Sequence, residues 1–205
     1  MTLLREDRPK PTVTAPDRPF LTVVSGLPRS GTSLMMKMLE AGGMPVLVDN
    51  IRAADVDNPR GYYEFEPVKT LKADTTWVAP SRGKAVKMVY LLVYDLPPGV
   101  DYRVLRMQRN FDEILASQKT MLERLGKPQR LDDARMATLF RSHLAKFESW
   151  IRERPNFSVL DVNYNALVAD PAPSAAEAAR FLGGGLNIDA MAGAVDPSLY
   201  RNRAS

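Results

Sequence analysis

The chain has 205 residues, 45% hydrophobic and 25% charged, with a formal net charge of +4, no cysteine and one histidine. That is the length of one domain and the composition of a globular protein, long enough to bury about 70% of its unfolded surface, so a disordered chain, a collagen-like fibre and a coiled coil are excluded. Without cysteine there is no disulfide framework, thiolate metal site or thiol nucleophile, and with His143 alone no multi-histidine metal site forms within one chain.

Four prolines and seven charges crowd residues 1–19, which read as an extended arm. A strand is expected over 20–24, then a turn, then an apolar helix over 32–41 that ends at Gly42-Gly43. Residues 44–48 read as a second short strand, 49–66 as a long loop, and 67–76 as a helix opened by Pro67. Apolar runs at 85–92 and 103–107 predict two further strands. Asn110 followed by Glu113 reads as a capping box at the start of a helix. A longer helix is expected over 132–154, with Met136, Phe140, Leu144, Phe147 and Ile151 on one stripe and Pro155 as its stop. A strand follows over 157–162. Ser174 with Glu177 is a second capping box, and a short helix near 188–195 precedes a tail. The alternation predicts an α/β fold: a mostly parallel sheet flanked by helices, in one domain over 20–196, with 197–205 as the tail. Ligands of such sheets bind at the carboxyl ends of the strands.

The basic excess suits an anion. Its 28 Lys and Arg are dispersed, with no run of five like charges, so nucleic acid is not the expected partner. No stretch of 18 apolar residues occurs, and the charged start MTLLREDRPKP lacks the apolar core of an export signal. No transmembrane segment and a cytoplasmic location are therefore expected.

The strongest feature is GLPRSGTS, residues 26–33, between an apolar strand and an apolar helix. Backbone N–H groups of Ser30, Gly31, Thr32 and Ser33 would face an anion at a helix N-terminus, the Ser and Thr hydroxyls would add donors, and Arg29 adds a planar, permanently charged fork. The spacing of Gly26 and Gly31 matches a Walker A loop, but Thr32 stands where the lysine of nucleotide triphosphatases would be, which argues against ATP or GTP hydrolysis.

LPRSGTS followed by LMMKML resembles the 5′-phosphosulfate loop of sulfotransferases that use 3′-phosphoadenosine 5′-phosphosulfate (PAPS), in the form nearest to tyrosylprotein sulfotransferases and many bacterial members. That resemblance implies a P-loop-like sulfotransferase fold and a nucleotide site containing Pro28, Arg29, Ser30, Gly31, Thr32 and Ser33. A second block agrees. In YRVLRMQRNFDEILASQ, Arg109, Asn110 and Ser117 keep the spacing at which the family's Arg and Ser bind the 3′-phosphate, although Phe111 replaces the family's proline. A third, FSVLDVNYNALVADP, is similar to the family's strand and Tyr-x-x-Leu segment, which would bring Tyr164 near the adenine.

The family splits at the catalytic base. Where cytosolic members carry a histidine, AVKMVYLLVYDLP has none; Lys87 lies where a lysine precedes that histidine. NPRGYYEFEP, residues 58–67, resembles the bacterial segment that supplies a carboxylate, with Glu64 at the matching position and Glu66 on the same face if extended. The resemblance implies in-line transfer from PAPS to a hydroxyl acceptor, with Glu64 as base, Arg29 as catalytic cation, and no metal. Three other expectations stay open: His143 as a half-buried structural residue, Arg201 and Arg203 folding back on the 3′-phosphate, and an aromatic acceptor pocket from Tyr62, Tyr63, Phe65, Trp77 and Tyr90. Two rivals also remain. One is a P-loop kinase using magnesium-ATP with Asp161 on the metal; the other is a non-catalytic relative that binds nucleotide or sulfated ligand. The acceptor itself is not readable: small molecule, carbohydrate, lipid and peptide all fit.

Overall fold

A computed structural model describes residues 19–49, 51, 61–127, 132–196 and 198. In chain order the elements are β1 (Phe20–Gly26), α1 (Thr32–Ala41), two 3₁₀ turns (Glu66–Thr70 and Ala79–Ser81), β2 (Ala85–Lys87), α2 (Tyr90–Val93), β3 (Asp101–Gln108), α3 (Phe111–Arg124), α4 (Asp133–Arg152), β4 (Phe157–Asn163), α5 (Tyr164–Ala169), α6 (Pro171–Phe181) and α7 (Ile188–Gly193). The four strands form one parallel sheet in the order β2-β1-β3-β4.

β1 is buried along its whole length, as a strand paired on both sides and covered on both faces must be. Its alternate residues feed two cores. Phe20 and Val24 pack with Leu105 and Met107 of β3, Met35 and Met38 of α1, and residues of α5, α6 and α7. Leu21 and Val23 pack on the opposite face with Tyr102 and Val104 of β3 and Phe140, Phe147 and Ile151 of α4. The register brings Gly26 beside Met107 and Gln108 beside Asn163, so β1, β3 and β4 end at one level. The loop after β1, Arg109-Asn110 and Tyr164-Asn165 therefore emerge together at one edge of the sheet.

Several sequence expectations are corrected. Residues 44–48 make a single bridge, Val46 to Ala85, rather than a strand; Pro45 has no N–H to extend the ladder. The strand expected over 85–92 stops at Lys87, and Tyr90–Val93 turns into α2 with Tyr90 and Val93 buried and Leu91 exposed. A short apolar run does not by itself separate a buried strand from a buried helical turn. The helix expected over 67–76 is a 3₁₀ turn that ends at Thr70. Downstream, Asp74 Oδ1 accepts from Thr76 N at 2.9 Å and Thr76 Oγ1 at 2.6 Å, a local turn that competes with helix. The box at Ser174 does not form, because α6 already starts at Pro171, whose fixed φ suits a first helical turn. Asn110 does cap α3, accepting from Asp112 N at 2.8 Å, but Glu113 does not complete the box and faces elsewhere.

Candidate active site

The loop between β1 and α1 is built on uncommon backbone. Gly31 caps α1 at φ 98, a conformation that favours glycine. A Cβ there would also lie 2.3 Å from the Tyr164 ring, so the close approach of α5 demands glycine a second time. Arg29 holds φ 71 without being glycine, which stores strain under its charged side chain. Pro28 is exposed at the loop tip and Ser30 is buried.

Three elements meet on this loop. Arg29 Nε donates to Ser117 Oγ of α3 at 2.9 Å. Arg109 Nη1 donates to the Arg29 carbonyl at 3.1 Å, and its guanidinium carbon lies 4.6 Å from the centroid of the Tyr164 ring. Burial pushes the Tyr164 phenol pKa up, and the neighbouring Arg109 cation opposes that shift. Arg29, Gly31, Arg109, Ser117 and Tyr164, chosen from three separated sequence blocks, thus form one connected set. The loop's hydroxyls and N–H groups divide. The Ser30 N–H donates to the Leu27 carbonyl at 3.2 Å, while the Ser30 hydroxyl is buried with no hydrogen-bond partner. Thr32 opens α1, where the first N–H groups have no carbonyl four residues back. Ser33 departs from expectation: its hydroxyl donates to the Tyr62 carbonyl at 3.2 Å.

The same Tyr62 carbonyl accepts from Lys87 Nζ, which also lies 3.4 Å from Ser33 Oγ. Lys87 reaches this point because β2 places it beside Val24, near the end of β1. Glu64 follows two residues later, and its carbonyl accepts from Asp49 N at 3.1 Å. Tyr63, at φ 51, donates its phenol to Glu40 of α1; burial and then that carboxylate raise its pKa. Glu66 pairs with Lys69, so its carboxylate is engaged at the start of the 3₁₀ turn. Asp49, absent from the sequence-based candidates, fastens this segment. Its carboxylate accepts from Glu66 N and Ile51 N, and those N–H groups hold its pKa below the ordinary carboxylate value.

Other candidates lie elsewhere. Tyr90 OH and His143 Nδ1 share a hydrogen bond of 2.8 Å, a structural pairing of α2 with α4. Asp161 is spread on the buried Arg106, with Nη2 to Oδ2 at 2.7 Å, and Glu148 of α4 lies 3.0 Å from the same nitrogen. A carboxylate so engaged is poorly placed to hold magnesium. The five aromatics do not make one pocket: Phe65 and Trp77 meet edge-on at 5.2 Å against one core, Tyr90 is buried in that core, and Tyr63 packs against the other. A cavity of about 250 Å³ opens at the end of β3, lined by Leu27, Arg106, Gln108, Arg109, Phe111 and Leu144 among others. Arg201 and Arg203 lie outside the described residues, as does most of the arm. Glu113 and Asn165 were also missed by sequence reading; the capping-box pattern hid the first, and nothing local marked the second.

Among the described residues no helix is long and apolar enough to cross a membrane. Comparison with curated proteins finds no match. Among solved structures, a sugar kinase from Janibacter sp. HTCC2649 superposes with a TM-score of 0.42 at 13% identity, over 88% of this chain and 97% of that one, a likeness too loose to bear on function. A sulfotransferase domain profile matches residues 21–201, a span that takes in the loop, Arg109, Ser117 and Tyr164. The chain belongs to the sulfotransferase family.

Proposed function

We propose that the protein transfers a sulfuryl group from PAPS to a hydroxyl-bearing acceptor. The observation that carries this reading is the Arg29–Ser117 hydrogen bond at 2.9 Å, which joins the loop after β1 to the helix after β3. Two features of the loop fit a phosphate-bearing nucleotide: the buried Ser30 hydroxyl that lacks a partner, and the αL turn at Gly31 that opens α1. Bound there, the nucleotide would supply an activated sulfuryl group.

The chain's own residues take the following parts. Arg29, with the N–H groups that open α1, holds the 5′ end and balances negative charge as the bond to sulfur breaks. Arg109 and Ser117 hold the 3′-phosphate, and Tyr164 stands beside Arg109. Glu64 takes the acceptor's hydroxyl proton on its carboxylate. Glu64 is preferred to Glu66 because it stands at the matching carboxylate position of NPRGYYEFEP. Lys87, at the junction of β2 and α1, adds positive charge between the base segment and the loop.

Thermal-shift titration tests the nucleotide. At about 100 times Kd, 3′-phosphoadenosine 5′-phosphate should add about 2.7 kcal/mol, a rise of about 5–10 °C for a chain of this size. Plain AMP should add much less. A shift with magnesium-ATP and none with the 3′-phosphorylated nucleotide would overturn the reading.

A further inference from the structure

We propose that Glu113 is a positioning residue: its buried carboxylate sets the plane of the Arg109 guanidinium, and thereby the selectivity of the site for a 3′-phosphorylated adenylate. The inference rests on the role given to Arg109 above. Glu113 follows Arg109 by one helical turn, and the two side chains are 2% and 7% exposed. Glu113 Oε2 accepts from Arg109 Nε at 2.8 Å, and its Oε1 accepts from Asn165 Nδ2 at 2.9 Å. Asn165 in turn accepts from the Asn110 backbone N–H at 3.3 Å. The guanidinium is therefore held on three sides by three elements: its Nε edge by α3, one end by the Arg29 carbonyl, and its face by the Tyr164 ring of α5.

The sign of the charge separates direction from attraction. A carboxylate beside an anion site repels the anion, so Coulomb's law alone disfavours a negative side chain there. Capping does not require one either, since Asn110 caps α3 by itself. A carboxylate does supply two acceptor oxygens, of which Oε2 accepts from Arg109 Nε and Oε1 from Asn165 Nδ2. A glutamine supplies one carbonyl oxygen and turns an NH₂ toward the other donor.

The test is calorimetric titration of the full chain and its Glu113→Gln variant with 3′-phosphoadenosine 5′-phosphate and with AMP, alongside melting temperatures. If the wild-type chain does not prefer the 3′-phosphorylated nucleotide, the role of Arg109 fails and the inference falls with it. Given that preference, Glu113→Gln should lower the affinity ratio by about tenfold or more, the effect of misaligning one charge-assisted hydrogen bond. Affinity for AMP should change by less than about threefold, whereas a merely structural defect would weaken both ligands alike. A ratio that is unchanged, or that rises because a repelling charge is gone, overturns the proposal. Should Glu113→Gln fail to fold, Asn165→Ala keeps the charge and frees the carboxylate from its second donor. A fall of about threefold in the ratio is then expected, and an unchanged ratio would be equally fatal.

Discussion

Ser30 and Ser33 are one helical turn apart, and the fold uses their hydroxyls differently. That of Ser33 binds the Tyr62 carbonyl, whereas that of Ser30 is buried without a partner. The motif announced both as donors; only the position of Tyr62, set by the distant crossover, distinguishes them. Gly31 shows the same limit. Its place in the anion-facing turn was visible in the motif, but the Tyr164 ring that forbids a Cβ comes from a segment 133 residues later. Glu64 is the residue on which the proposed chemistry turns. With any acceptor that turns over, Glu64→Gln should cut kcat by about 10²–10⁴-fold and leave nucleotide affinity alone. Glu66→Gln should do little, because that carboxylate serves Lys69. Full kcat in Glu64→Gln, measured in steady state with the nucleotide Kd unchanged, would remove Glu64 as base.

Among the elements, those with long periodic patterns or clear caps were legible. β1, α1, α3 and α4 lie within a few residues of their expected limits, and Asp132 caps α4 by accepting from Arg135 N at 2.8 Å. Besides the capping boxes that fail at Glu113 and Ser174, three misread elements fall between α1 and β3, where apolar runs are short and local turns such as that at Asp74 compete. The clasp at Asp49 belongs to this region. It ties residue 49 to residues 64 and 66, and residue 51 to 49, with a backbone N–H as donor in each bond, which no side-chain pattern discloses. Its pH dependence has a definite sign. Because the folded pKa is lowered, the clasp contributes fully above the unfolded value of about 3.9, and its contribution is lost as pH falls through the folded value. Amide exchange at Glu66 should stay protected relative to Asp49→Ala at neutral pH, and the difference should begin to shrink as pH falls below about 4 and vanish only once pH has passed below the lowered folded value. Equal exchange in both proteins at neutral pH would show that Asp49 does not close the segment.

At the scale of the whole molecule, Arg106 joins β3, β4 and α4 through Asp161 and Glu148. Its side chain is 8% exposed, against 46% for Asp161 and 40% for Glu148. Removing Asp161 leaves a buried guanidinium with one carboxylate. Asp161→Ala should therefore lower stability by about 1–3 kcal/mol in equilibrium denaturation, less than for a fully buried pair, since water reaches the acid side. Arg106→Met, which fills the space without charge, should cost less than Asp161→Ala; the reverse order would mean that the ion pairs rather than packing hold this corner. The same network withdraws the carboxylate that a kinase would have needed for magnesium.

The proposed base and the anion-holding residues hang from different parts of the chain. Arg29, Arg109, Ser117 and Tyr164 issue from the ends of three neighbouring strands whose register is mutually enforced, whereas Glu64 sits on the crossover from α1 to β2 and meets the loop through the Tyr62 carbonyl. Under the proposed chemistry, a mutation on the strand side must satisfy partners on three paired strands at once, while one on the crossover answers, among the described residues, to local fastenings such as Asp49 to Glu66 and Tyr63 to Glu40. Descendants of such a chain can then diverge in what they modify while inheriting the same activated donor: evolutionary drift is permitted on one side of the transferred group and penalised on the other.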